Sequence, residues 1–173
     1  MPMPRQQPGR SKQNYQTPSE FIAAVQRRWQ LTHFLVDLAA NAENTQATDY
    51  FTEEDDSLSK DWKTLGRMCH PGTALWLNPP FSRIEPWVEK ALKECSGQRL
   101  LMLLPAAVGA NWFRDYVWTA NGPLVIALNG RLKFVGCEDY YPKDCMILDY
   151  GHEFPPSYMD GGEEHFEVWD WRK

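Results

Sequence analysis

The stretch TALWLNPPFSRIEPWVEKALKECSGQRLLMLLP, Thr73 to Pro105, decides the fold. It opens with TALWL and ends in RLLMLLP, two apolar runs of strand length without the polar alternation of a half-exposed strand. Runs of this kind read as strands covered on both faces, as in a parallel sheet. Between them, EPWVEKALKECSG sets Trp87, Val88, Ala91, Leu92 and Cys95 on one helical stripe, with Gly97 as the stop. Strand, helix and strand in this order form a crossover unit, which is right-handed in parallel sheets.

The flanking sequence extends the alternation. ANWFRDYVWTANG carries Phe113, Tyr116, Val117 and Ala120 in helical step, and LVIAL follows as another strand. On the other side, HFLVDLAA is a buried strand that halts at Asp37, TDYF a second short strand, and TEEDDSLSKDW an acidic loop with a helical turn. Thr17-Pro18-Ser19-Glu20 opens a helix running to about Trp29, with Thr17 as its cap, Pro18 in its first turn and Glu20 reaching back. Asn129-Gly130 is a tight-turn signal, after which RLKFVG and CMILDY are extended segments that add antiparallel pairing at one edge. The expected fold is α/β: an open, mostly parallel twisted sheet with helices on both faces and an antiparallel edge. Ligands of such sheets bind outside the carboxyl ends of the strands. Asp37 and Asn78 both lie at such ends.

Composition bounds the rest. A chain of 173 residues, 43% hydrophobic, supports one globular domain, expected over 14–173. The first 13 residues hold Arg5, Arg10 and Lys12 with no acid and little apolar surface, and read as a mobile basic arm. Asp149 to Lys173 carries seven acids, and its closing HFEVWDWRK reads as a strand or packing arm. No apolar run approaches the roughly 18 residues of a membrane span, and no charged-then-apolar leader opens the chain, so a cytoplasmic protein with no membrane role is expected. Cys69, Cys95, Cys137 and Cys145 form no CxxC pair, which predicts free thiols and no metal site. The net charge of -5 argues against non-specific clamping of nucleic acid and leaves room for brief contact.

Asn78-Pro79-Pro80-Phe81 carries the chemistry. Two prolines cannot donate ladder hydrogen bonds, and the first biases Asn78 away from helical dihedrals, so the backbone after Leu77 is stiff and its carbonyls are free to accept. The Asn78 side chain and the Pro79 carbonyl form a rigid pair of acceptors for the two hydrogens of a planar NH2 group. Phe81 adds a flat face for the ring bearing that amine. Gripping both hydrogens favours the more tetrahedral nitrogen of a transition state in which the lone pair attacks a sulfonium methyl.

With these segments in view, the chain resembles a phage-type DNA N6-adenine methyltransferase of the Dam class over roughly Tyr15 to Tyr150. YQTPSEFI is similar to that family's opening Thr-Pro element, FLVDLAANAEN to its acidic cofactor strand, YFTEEDDSLSKDW to the acidic segment after it, and LWLNPPF to its catalytic loop; LLPA and GRLKF also match. The resemblance implies a Rossmann-like class I methyltransferase domain using S-adenosylmethionine to methylate N6 of an adenine flipped from double-stranded DNA, with no metal, in the host cytoplasm if phage-encoded. It makes Asn78, Pro79, Pro80 and Phe81 catalytic. It places Tyr15, Thr17, Pro18 and Asp37 around the cofactor, together with Ala39, Asn78 and Asp56 or Asp55. Arg83, Arg131, Lys133 and Phe134 are the candidates for DNA contact, the last as an aromatic wedge beside the extruded base. One departure stands out: Ala39-Ala40-Asn41 replaces the glycine-rich loop that follows the first strand in many methyltransferases. The same loop chemistry also suits an RNA base or a protein glutamine amide, and the altered loop admits a binding protein that has lost transfer.

Overall fold

The structure is a computed structural model that describes residues 15–152 and 165–173, so the arm expected over 1–13 lies outside the described residues. Helix α1 (Ser19–Arg28) leads to strands β1 (His33–Asp37) and β2 (Asp49–Tyr50), a 3-10 turn (Ser57–Ser59) and helix α2 (Trp62–Met68). Then come β3 (Thr73–Leu77), α3 (Glu85–Cys95), β4 (Leu100–Pro105), α4 (Asn111–Tyr116), β5 (Leu124–Leu128), β6 (Cys145–Asp149) and β7 (Phe166–Trp169). All seven strands join one sheet in the order β2-β1-β3-β4-β6-β5-β7. β2, β1, β3 and β4 pair in parallel. β6 runs antiparallel to both β4 and β5 and supplies the antiparallel pairing of that half of the sheet, while β7 pairs parallel to β5.

The two central strands alternate their side chains between two cores. Leu75, Leu77, Leu100, Met102 and Leu104 face the side covered by Val88, Ala91 and Cys95 of α3. Ala74, Trp76, Leu101 and Leu103 face the side covered by Phe21, Ile22 and Val25 of α1. Helices on both faces explain why TALWL and LLMLLP lack polar alternation: neither face meets water. The expected βαβ unit is therefore present.

Gly97 ends α3 at φ +75°, with its N–H bonded to the Tyr150 carbonyl at 2.8 Å. A Cβ there would meet no heavy atom within 4 Å, so only backbone conformation opposes a side chain. Gly97→Ala is expected to lower stability by about 1 kcal/mol through the left-handed penalty alone, read as a lower urea midpoint with unchanged ligand binding.

Two local expectations are corrected. Thr17 does not cap α1: Pro18 holds the cap position in extended backbone (φ -66°, ψ 140°), and no side chain caps the helix. RLKFVG forms no strand, and only Val135 makes a bridge, to Gln16. Its physical reason is that β5, the strand it would extend from, already pairs on both edges with β6 and β7, while Leu132 and Phe134 turn inward. The acidic segment carries its expected helical turn at Ser57–Ser59, and helix α2 follows over residues to which no element was assigned, capped by Asp61, whose carboxylate accepts the Thr64 N–H at 2.9 Å and the Thr64 hydroxyl at 2.7 Å. The acidic aromatic end joins the sheet as β7. It is fastened by Arg28, which pairs with Glu167 and lies over the rings of Trp29 and Trp169.

Candidate active site

β1 and β3 are neighbours with Asp37 in register with Trp76, and the Leu38 N–H reaches the Trp76 carbonyl at 2.9 Å. Asn78, two residues beyond Trp76, thereby comes to the same end of the sheet as Asp37. Both line one cavity of about 750 Å³, with Tyr15, Thr17, Ala39, Asp56, Pro80 and Arg83 also in its wall. The volume is that of a pocket for a drug-sized ligand or cofactor.

The Asn78 carboxamide is oriented by its neighbours. Its Nδ2 donates to the Tyr15 carbonyl at 2.8 Å and to the Thr17 hydroxyl at 3.2 Å. A backbone carbonyl only accepts, so the nitrogen must face it and the oxygen must face away. Oδ1 is left buried and without a hydrogen-bond partner. A buried acceptor left unpaired costs about 1–3 kcal/mol, and such an orphan marks a place where a donor belongs. Among the described residues no hydrogen bond reaches the Pro79 carbonyl either. The two acceptors assigned from the sequence are thus both unengaged. The following turn is closed by the Arg83 N–H on the Pro80 carbonyl at 3.4 Å.

Asp37 is 2% exposed. Its Oδ2 accepts the Gln46 N–H at 2.9 Å and its Oδ1 the Ala39 N–H at 3.3 Å, so the carboxylate brackets the loop that follows β1. That loop is braced by Asn41 and Asn44: the Asn41 N–H donates to Asn44 Oδ1 at 2.7 Å, and the Glu43 N–H to Asn41 Oδ1 at 2.9 Å. No described residue from Leu38 to Thr48 has a positive φ, which is why alanines serve where a glycine-rich loop was missed. Burial pushes the Asp37 carboxyl up to about 7, against the pull of the Gln46 and Ala39 backbone donors. The cavity wall also carries Glu53, Glu54 and Asp56 against the single guanidinium of Arg83, so it suits a cationic ligand.

Several proposed residues lie elsewhere. Pro18 is buried outside the cavity wall, its carbonyl accepting from Phe21 and Ile22 at 3.1 Å. Asp55 turns back to the Thr52 N–H and hydroxyl at 2.8 and 2.7 Å, which leaves Asp56, in left-handed backbone at φ 49°, as the acid of the pair at the cavity. Pro79 is buried and is not among the residues lining the cavity, its carbonyl taking no hydrogen bond among the described residues. Phe81 is half-buried and packs in a ring cluster, 5.7 Å from Tyr15, 6.1 Å from Phe134 and 5.6 Å from Tyr141 between centroids. Phe134 is 1% exposed inside that cluster and so is no wedge for an extruded base, a correction forced by its packing. Arg131 and Lys133 stay exposed on the same loop, Arg131 facing Asp144 at 3.4 Å.

Other cavity residues escaped the sequence reading. Phe51 and Ser57 lie in YFTEEDDSLSKDW but were assigned no role, and Trp87 was read only as part of a buried stripe. Trp87 is held at the wall by Trp62, whose ring stacks on it at 6.0 Å and whose indole N–H is fixed by the Ser57 carbonyl at 2.9 Å. An aromatic one turn past a strand-ending loop was the available signal.

A family profile described as "DNA N-6-adenine-methyltransferase (Dam)" matches residues 5–145. The chain is similar to a DNA N-6-adenine-methyltransferase of Escherichia phage T1, 32% identical over 102 residues, which cover 58% of this chain and 39% of the relative. It is also similar to a DNA N-6-adenine-methyltransferase of Haemophilus phage HP1, 31% identical over 107 residues, 61% of this chain and 57% of the relative. The chain thus matches well under two thirds of the length of either. No solved structure matches it significantly.

Proposed function

Because the chain belongs to the DNA N-6-adenine-methyltransferase (Dam) family, we propose that it transfers a methyl group to N6 of an adenine extruded from double-stranded DNA. The observation that carries this reading is the Asn78 carboxamide, held with its oxygen unpaired in a cavity it shares with Asp37.

When bound, S-adenosylmethionine supplies an electrophilic methyl on a positively charged sulfur. The residues present fit such a donor: an acid-rich cavity of adequate volume, Asp37 for its amino or hydroxyl donors, and Tyr15, Thr17, Ala39 and Asp56 around it. Asn78 Oδ1 and the Pro79 carbonyl accept the two hydrogens of the adenine amine, which turns the nitrogen lone pair toward the cavity. As that nitrogen becomes tetrahedral and positive, both hydrogen bonds strengthen, so the loop stabilises the transition state more than the ground state. Neither acceptor is basic enough to keep the released proton, which passes to solvent. Phe81, through its open side, stacks on the extruded ring. Arg83 at the cavity mouth and Arg131 and Lys133 on the neighbouring loop contact the phosphates. The protein works where DNA is accessible, in the cytoplasm of a host cell.

Phe81→Ala is expected to weaken productive target binding by about 1–3 kcal/mol, the scale of one base–aromatic stack. The check is affinity for a duplex carrying an unpaired adenine; equal affinity for both proteins contradicts the stacking role. The function itself is tested by incubating the protein and methyl-labelled S-adenosylmethionine with DNA, RNA and protein mixtures. Label on DNA is the expected result. Label on RNA or on a protein amide moves the same loop chemistry to another substrate, and no label with no thermal stabilisation by the donor identifies a binding protein that has lost transfer.

A further inference from the structure

We infer that Thr17 is a positioning residue: with the Tyr15 carbonyl it clamps the Asn78 carboxamide in the one orientation that leaves its oxygen free to accept. The inference rests on the proposed transfer to an amine and adds to it the part that holds the acceptor in place. Thr17 is 4% exposed, and the bond to Asn78 Nδ2 at 3.2 Å is its side chain's one hydrogen bond among the described residues. It has no capping duty at α1 to explain its burial.

The clamp has two halves, and both are fixed. The Tyr15 carbonyl is held by the bridge between Gln16 and Val135, where the Val135 N–H donates to the Gln16 carbonyl at 3.0 Å. The Tyr15 ring is wedged 4.9 Å from Phe134 and 5.5 Å from Tyr141. Threonine, with two heavy atoms on Cβ, has a restricted χ1, so its oxygen is held in place beside the Asn78 carboxamide. With the amide turned over, Oδ1 would face the Tyr15 carbonyl oxygen and a buried NH2 would take the orphaned position without an acceptor. Both changes are unfavourable, so the clamp sets the amide before any substrate arrives, the preorganisation on which transition-state hydrogen bonds depend.

The test pairs a spectroscopic readout that needs no turnover with kinetics. The side-chain 15N–1H2 signals of Asn78 are identified by their loss in Asn78→Ala. Thr17→Val, nearly the same shape without the hydroxyl, is expected to speed solvent exchange of one of the two Asn78 amide hydrogens. It should also lower kcat about tenfold, the upper reach of one neutral hydrogen bond, with KM for DNA unchanged. Thr17→Ser should restore both the exchange rate and kcat, which separates positioning from packing. Unaltered Asn78 signals in Thr17→Val overturn the clamp, as does a rise in donor KM with kcat intact, which would make Thr17 a cofactor contact only. Wild-type protein that methylates nothing while its Asn78 amide responds to Thr17→Val would sink the transfer reading and leave the clamp standing.

Discussion

Asn78→Ala should reduce turnover by roughly 10²–10³, the cost of deleting one preorganised transition-state partner. The magnitude follows from the environment of Oδ1. It is buried and unpaired, so little of the substrate's hydrogen bond goes into displacing another partner, and the interaction grows as the amine nitrogen takes on charge. DNA affinity should change far less than kcat, since the alanine retains the Pro79 carbonyl and the Phe81 face. Steady-state methylation with labelled donor decides the matter. A loss below about threefold means that the carboxamide does not touch the reacting amine.

Asp37→Ala should weaken binding of S-adenosylmethionine by about 10–100-fold above neutral pH, the range of a hydrogen bond to a charged group, measured by calorimetry. The pH dependence is the sharper test. The carboxyl is pushed up to about 7 in the folded protein from an ordinary value of 3.8, so between these limits the native state holds a proton that the unfolded chain has released. The contribution of Asp37 to stability therefore falls as pH rises from about 4 to about 7, and levels off above that. A donor that hydrogen-bonds the carboxylate works in the opposite sense: its affinity should climb through the same window and reach a plateau once Asp37 is ionised. Asp37→Asn should abolish the affinity trend and remove the Asp37 share of the stability trend. Affinity that is flat from pH 5 to 8 in the wild type would remove Asp37 from the cofactor site.

The sequence made the centre of the sheet legible because both strands around α3 are buried on both faces, and TALWL and LLMLLP carry that condition in every residue. The meeting of Asp37 with Asn78 followed from the same reading: each ends a parallel strand, and parallel neighbours finish at one edge. What escaped it depends on contacts between distant residues. Thr17 matches a local capping pattern, yet its partner lies 61 residues away on Asn78. Phe134 sits between a tight turn and several charges, which reads as an exposed loop, but Leu132 and Phe134 alternate with the exposed Arg131, Lys133 and Val135 and turn inward, Phe134 against Tyr15 and Tyr141. Helix α2 was hidden by its brevity and by Gly66, a poor helix former. Its missing side chain has a spatial reason, since a Cβ there would lie 2.9 Å from Gln98 Cβ. The insertion of β6 between β4 and β5 is a choice of topology among equally apolar strands, and no periodicity encodes it.

The central claim is that an Asn78-held amine takes a methyl group in this cavity. It is tested most directly by mass spectrometry of nucleosides from the DNA of a host that lacks adenine methylation of its own, expressing either the wild-type chain or Asn78→Ala. N6-methyladenine with the wild type, and at most about a hundredth as much with the variant, is the predicted result; equal amounts with both, or a methylated base other than adenine, would contradict it.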